Sequence, residues 1–163
     1  MTRRVVRMAA EDVGLADPRA LNVALAARDI YHFLGTPEGE IALFEAVAYL
    51  ALAPKSNAVY TAEKESRRAA SENPSYPVPL HIRNAPTRLM KDLGYGAGYR
   101  YDHDYDDKLA PQGYLPEELA DLRFYHPTDQ GLEAKLRERL DWLRGRRAEL
   151  MEEESEGQEE EEQ

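Results

Sequence analysis

Apolar residues recur along this chain at the three-to-four-residue spacing of amphipathic helices, and no stretch alternates reliably enough to predict a strand. Residues 3–13 predict a helix with Val5, Val6, Met8, Ala9 and Val13 on or near one face, closed by Gly14. No capping residue stands before it, so the pattern starts inside a helix and suggests that something once preceded Met1. Asp17-Pro18 is a start signal, an N-cap followed by proline at the first helical position. The helix it opens runs to about Leu34, with Leu21, Ala24, Leu25, Ile30 and Leu34 available for burial. Gly35 ends it and Thr36-Pro37 starts the next, with Glu38 and Glu40 near the positive helix end. So short a connector folds the two into an αα-hairpin.

The second arm, Pro37 to Ala53, is apolar nearly all round. Ile41, Leu43, Phe44, Val47, Tyr49, Leu50 and Leu52 cannot share one stripe, so this helix is central to its domain or shared with another subunit. Ile41, Phe44, Val47, Tyr49 and Leu50 are the candidate oligomer-interface residues. The alanines between them permit close approach of a neighbouring helix, and Glu45 reads as turned to solvent.

Pro54 stops that helix, and Ser56 or Asn57 caps another to about Ser71, with Glu63 and Arg67 as an i,i+4 pair. Pro74, Pro77 and Pro79 predict an extended crossing segment. Asn84-Ala85-Pro86 opens a two-turn helix with Leu89, Met90 and Leu93 inward and Gly94 just past its end. Residues 95–112 read as irregular or a loose hairpin, and Pro116-Glu-Glu-Leu as a short helical turn. Thr128-Asp129 caps a last helix to about Leu150, with a narrow stripe at Leu132, Leu136, Leu140 and Leu143 and with Trp142 at its flank. The expected fold is all-α, with five or six helices. It forms one domain over 1–150, with an irregular loop rich in tyrosine and glycine and a disordered acidic tail over 151–163.

Charge modifies this picture at one end only. The net charge of −10 falls to −2 once the eight glutamates of residues 152–163 are set aside, so the body is near neutral. The absence of cysteine excludes disulfides and thiolate metal sites and fits a reducing cytoplasm. The apolar run Ile41–Ala53 is too short to span a bilayer.

The stretch from Leu80 to Tyr105 carries most of the candidate chemistry. Gly94-Tyr-Gly-Ala-Gly lacks a glycine at position 99, where Tyr99 stands, and no G-x-x-x-x-G-K-[ST] occurs in the chain, so neither nucleotide loop is present. Asp102-His-Asp-Tyr-Asp-Asp107 fails as an EF-hand, because Asp107 and Gly113 occupy the glycine and glutamate positions. A metal-dependent enzyme built on Asp102, His103 and Asp104 is a remote third reading. The DNA-binding candidates are Lys55, Arg83, Arg88, Lys91, Tyr95, Tyr99, Arg100 and Tyr101, with His81 beside them. Tyrosines that stack bases and cations that meet phosphates would form a single-strand platform. Against it, Arg83, Arg88, Lys91 and Arg100 outweigh Asp92, Asp102 and Asp104 by only one charge. The bland reading packs the tyrosines with bonded hydroxyls and pairs the arginines with neighbours.

Three motifs together, Glu11-Asp-Val-Gly-Leu-Ala-Asp-Pro18, Ala53-Pro-Lys-Ser-Asn-Ala-Val-Tyr60 and the Leu80–Tyr105 stretch, resemble the C-terminal domain of the replication-associated recombination ATPases. This is the RarA/MgsA family, related to the Werner-helicase-interacting proteins, and the likeness runs from about Arg3 to Arg147. The resemblance implies a clamp-loader-like collar that holds a homotetramer of AAA+ ATPases. It further implies DNA and single-strand-binding protein as partners at stalled forks, a cytoplasmic, nucleoid-associated setting, and no membrane. ATP and Mg would belong to an ATPase core absent from this chain, which therefore holds no cofactor and is not itself an enzyme. The alternative is an autonomous module that binds single-stranded or forked DNA through the basic and tyrosine set.

Overall fold

The computed structural model describes residues 1–73 and 76–161, so Pro74 and the last two tail residues lie outside the described residues. Among the described residues the chain is helical, without strands. Its α-helices are α1 (Thr2–Met8), α2 (Arg19–Leu34), α3 (Glu40–Leu52), α4 (Ala58–Glu72), α5 (Arg88–Asp92) and α6 (Glu133–Glu161). The chain forms two compact units, Met1–Glu72 with Arg123–Glu138, and Asn73–Leu122 with Arg139–Gln163.

The first unit is built on alanine. Ala20, Ala24 and Ala27 form the buried ridge of α2, and Ala42, Leu43, Ala46 and Leu50 form that of α3. Small residues at i, i+4 and i+7 let the two backbones approach closely. Of the residues expected to fill the α2 face, Ala24 is buried and Leu25 half-buried, whereas Leu21, Ile30 and Leu34 are exposed. The hairpin turn shows the same tight approach. A Cβ on Gly39 would stand 2.8 Å from both the Gly35 carbonyl oxygen and the Tyr31 Cα. The turn also delays α3, which starts at Glu40 instead of Pro37.

Val5, Ala9 and Val13 complete this core. They stand four residues apart, and the expected helix over 3–13 changes at Ala9 into a π-helical turn, Ala9–Val13. The wider turn keeps a strict four-residue spacing on one side. Met8, expected inside, is left exposed.

Asp17 joins the hairpin at its base. Its carboxylate accepts from the Arg19 amide at 3.2 Å, from Arg19 Nε at 2.9 Å and from the Tyr49 hydroxyl at 2.6 Å. The Arg19 guanidinium first, then the Tyr49 hydroxyl against the opposing cost of burial, hold Asp17 below the usual carboxylate range.

The same unit contains a buried carboxylate that the sequence did not single out. Glu133, in the first turn of α6, is fully buried. It accepts four hydrogen bonds: from Ser56 Oγ at 2.6 Å, Tyr125 Oη at 2.9 Å, the Thr128 amide at 2.9 Å and Thr128 Oγ1 at 2.7 Å. Burial pushes this carboxyl up, but the donated hydrogen bonds outweigh it and hold Glu133 below its ordinary value. Ser56 also caps α4, accepting from the Ala58 amide at 3.2 Å. One carboxylate therefore fixes the start of α6, the start of α4 and the segment between Tyr125 and Thr128. Beside it the Leu132 amide donates to the Ala16 carbonyl at 2.8 Å. Gly131, with φ +53°, allows this approach, because a Cβ there would run into that same oxygen.

In the second unit α5 is shorter than expected. Thr87 caps it, accepting from the Met90 amide at 3.3 Å, and Leu89 and Leu93 are exposed instead of inward. Only five residues separate the cap from the turn that ends at Gly94, too few to build a buried face. The last helix runs on through Glu161, beyond the end expected near Leu150. Its charged residues are paired: Arg146 with Asp107 of the loop at 2.9 Å and, within the helix, with Glu149 at 3.2 Å and Glu153 at 3.5 Å, and Glu154 with Arg100. Glutamate is itself a good helix former.

Glu133→Ala would leave the Ser56, Tyr125 and Thr128 donors without their acceptor, and is expected to cost about 3 kcal/mol or more in urea unfolding. The sign of the pH dependence follows from the direction of the shifts. Glu133 and Asp17 are both depressed in the folded state. Their stabilisation is complete above the unfolded carboxylate range and is lost as pH falls through the folded values. Melting temperature should therefore hold steady near neutrality and drop below about pH 5. Glu133→Gln should flatten that drop; an unchanged acid slope would show that Glu133 is not its source.

Candidate functional site

Helix α3 has two apolar sides, and its own chain covers one. Ala42, Leu43, Ala46 and Leu50 face the core, whereas Ile41 is 77 % exposed, Phe44 69 %, Val47 47 % and Leu52 88 %. Ala48 and Ala51 lie exposed between them. At 3.6 residues per turn these six positions cover roughly half the helix circumference. The exposed Glu45 stands at the edge of this surface. On the neighbouring arm of the hairpin, Phe33 is 88 % exposed and Leu34 50 %. Apolar residues scattered singly over a surface are ordinary, but a contiguous stripe along a helix marks an interaction face.

The interface candidates therefore separate. Ile41, Phe44 and Val47 lie on the open side. Leu50 is inside the chain's own core. Tyr49 is half-buried at the boundary, with its hydroxyl bound to Asp17.

The basic and aromatic set is divided between the two units. Lys55 belongs to the first unit and the other seven candidates to the second. Lys55 closes the end of α3, with Nζ donating to the carbonyls of Leu50 and, at 2.8 Å, Ala53. Arg83 donates from Nε to the Val78 carbonyl at 2.5 Å and lies over the Tyr95 ring, 5.0 Å from its centroid. Arg100 donates to the Pro111 carbonyl at 2.8 Å and pairs with Glu154, while its backbone exchanges two hydrogen bonds with the Gln112 side chain. Those three cations act as braces. Arg88 and Lys91 are exposed on α5, and Tyr99 and Tyr101 are about half-exposed.

The acidic loop is also engaged. Asp102 accepts from the Ala110 amide at 2.7 Å and from the Tyr114 hydroxyl at 3.2 Å, and the Arg147 guanidinium lies 5.2 Å from the Tyr114 ring centre. His103 packs its ring against Tyr101, with centroids 5.0 Å apart. Among the described residues no three histidine or acidic side chains are grouped to hold a metal ion, and no helix is long and apolar enough to cross a membrane.

Comparison with known proteins gives a consistent result. A family profile described as the MgsA AAA+ ATPase C terminal matches residues 1–144. The chain is 54 % identical over 144 residues to replication-associated recombination protein A of Escherichia coli K12, covering 88 % of this chain and 32 % of the relative. The protein of the same name from Haemophilus influenzae is 51 % identical over 145 residues, with the same coverage of both chains. The Dictyostelium discoideum ATPase WRNIP1 is 46 % identical over 126 residues, covering 77 % of this chain and 14 % of its own. The chain thus spans about a third of the length of the bacterial relatives. The chain is a member of the family of C-terminal domains of MgsA-type AAA+ ATPases.

Proposed function

We propose that this chain is the self-assembly module of a AAA+ ATPase working in replication-associated recombination, and that copies associate through the open side of α3 into a homotetramer. The observation that carries the reading is the uninterrupted apolar half of α3 left uncovered by its own chain. Fully burying a side chain such as Ile41 or Phe44 contributes about 1.5–3 kcal/mol, so a few such residues per copy suffice to drive association. The near-neutral body opposes it little. The relatives' names supply the process. In the assembled protein, ATP and Mg would be held by an ATPase core outside the matched third. DNA and single-strand-binding protein would be partners, at the nucleoid in the cytoplasm.

The full chain at tens of micromolar is expected to sediment as four copies. Ile41→Glu with Phe44→Glu should reduce it to one copy with its helical circular dichroism intact, because neither residue belongs to the chain's own core. A wild-type chain that sediments as a monomer removes the reading.

A second reading has its own observation: Tyr99 and Tyr101 keep exposed rings in the same unit as the exposed cations Arg88 and Lys91. This part of the second unit would stack single-stranded DNA. Replacing both tyrosines by alanine should weaken binding at least about tenfold, given a stacking contribution of about 1–3 kcal/mol per base. Unchanged anisotropy titrations with a labelled oligonucleotide would dismiss it.

A further inference from the structure

We propose that the groove between α1 and α2 is a contact site for the phosphodiester backbone of nucleic acid, separate from both surfaces described above. The groove lies within the first unit and encloses about 520 Å³. Arg3 and Arg7 line one side and Arg28 and His32 the other, with Val6 and Ala10 between. No acidic side chain lines it. Each pair stands at i,i+4, so α1 presents two guanidinium groups one turn apart and α2 a guanidinium and an imidazole, with Cβ atoms about 6 Å apart within each pair. The arrangement offers two short rows of donors across a trough with an apolar floor.

Two of these cations have partners at the rim. Arg7 pairs with Glu11 at 2.7 Å and Arg28 with Asp29 at 2.7 Å. Both pairs are solvent-exposed and so are worth little to the fold. Arg3 has no carboxylate within ion-pair distance among the described residues, and neither does Arg4 one position on. The site thus has one guanidinium, Arg3, without an ion pair among the described residues and two held only in exposed pairs, in contrast to Arg83 and Arg100. Guanidinium is the side chain best matched to phosphate oxygens, which it meets with two parallel hydrogen bonds. Successive phosphates along a strand would use the two rows in turn. An acidic protein segment would also be attracted by charge, but a trough with donors on both walls suits a chain of evenly spaced anions.

The proposal takes only its choice of anion from the reading of the domain as part of a DNA-processing ATPase. Its test is separable from self-assembly and from the tyrosine platform. A labelled oligothymidylate is titrated with the full chain at low salt, and sedimentation is run on every variant. Arg3→Glu with Arg28→Glu is expected to weaken binding by tenfold or more, without changing the number of copies. The dependence of log affinity on log salt should become shallower by about 1.4, since each lost contact to a single strand contributes about 0.7. Arg3→Lys with Arg28→Lys keeps the charge but not the forked donors, and should leave binding between that of the wild type and that of the glutamate pair. Lys64→Glu with Arg68→Glu, both exposed on α4, makes the same charge change outside the groove and outside the tyrosine platform. If that pair costs as much as the groove pair, the effect is net charge and the site is refuted. A wild-type chain that does not bind, or groove variants that bind like wild type, overturn the proposal as well. Loss of binding in the groove variants with intact binding in the tyrosine variants would retain the groove and dismiss the platform.

Discussion

A single buried carboxylate constrains the first unit more than any apolar contact. Removing a charge from water is costly, and Glu133 is tolerated because four hydrogen bonds replace its hydration. Three of those bonds come from Tyr125 and Thr128, just ahead of α6, and the fourth from far along the chain. Ser56 lies 77 positions away, where it also caps α4. An apolar residue in that position would bury as well but would specify none of these partners. The carboxylate makes the join between the start of α6 and the helical hairpin directional. Gly131 and the Leu132–Ala16 hydrogen bond permit it sterically.

The hairpin was legible in the sequence because its signals are local. Gly35 and Pro37 mark the turn between α2 and α3, Pro54 stops α3, and Ser56 caps α4; each acts on its own neighbourhood. Which face of α2 is buried was not legible in the same way. Leucine and isoleucine dominate any hydropathy pattern, whereas the structure buries Ala20, Ala24 and Ala27. The signal was present in another form: alanines at helical spacing in two consecutive helices indicate backbones in close contact. Glu133 could not be found from spacing. A glutamate in a first helical turn reads as a complement to the helix dipole, and nothing near it in sequence names Ser56 or Tyr125 as a donor.

Alanine packing also has a consequence for the surface. Small residues on the inner faces draw α2 and α3 together and leave the larger side chains pointing outward. Ile41, Phe44, Leu52 and Phe33 are exposed for this reason. A leucine-rich interior would have consumed the same residues internally. The all-round apolar character of Pro37–Ala53 therefore divides into two functions: alanines with Leu43 and Leu50 hold the hairpin, and the bulky remainder is available to a partner.

The arginines divide by a similar rule, and here residue type alone is a poor guide. Arg83 and Arg100 stand among tyrosines and glycines, the composition of a nucleic-acid platform, yet backbone carbonyls, an aromatic ring and Glu154 take up their donors. An irregular loop has many unpaired carbonyls, and a nearby guanidinium with five donors satisfies them. Regular helices pair their own carbonyls internally, so cations on α1 and α2 have no such duty. The loop arginines Arg83 and Arg100 are thus drawn into the structure, whereas Arg3 on α1 has no carbonyl or carboxylate contact of that kind among the described residues. That difference in backbone hydrogen-bond demand, more than local charge, separates the two basic sets of this domain.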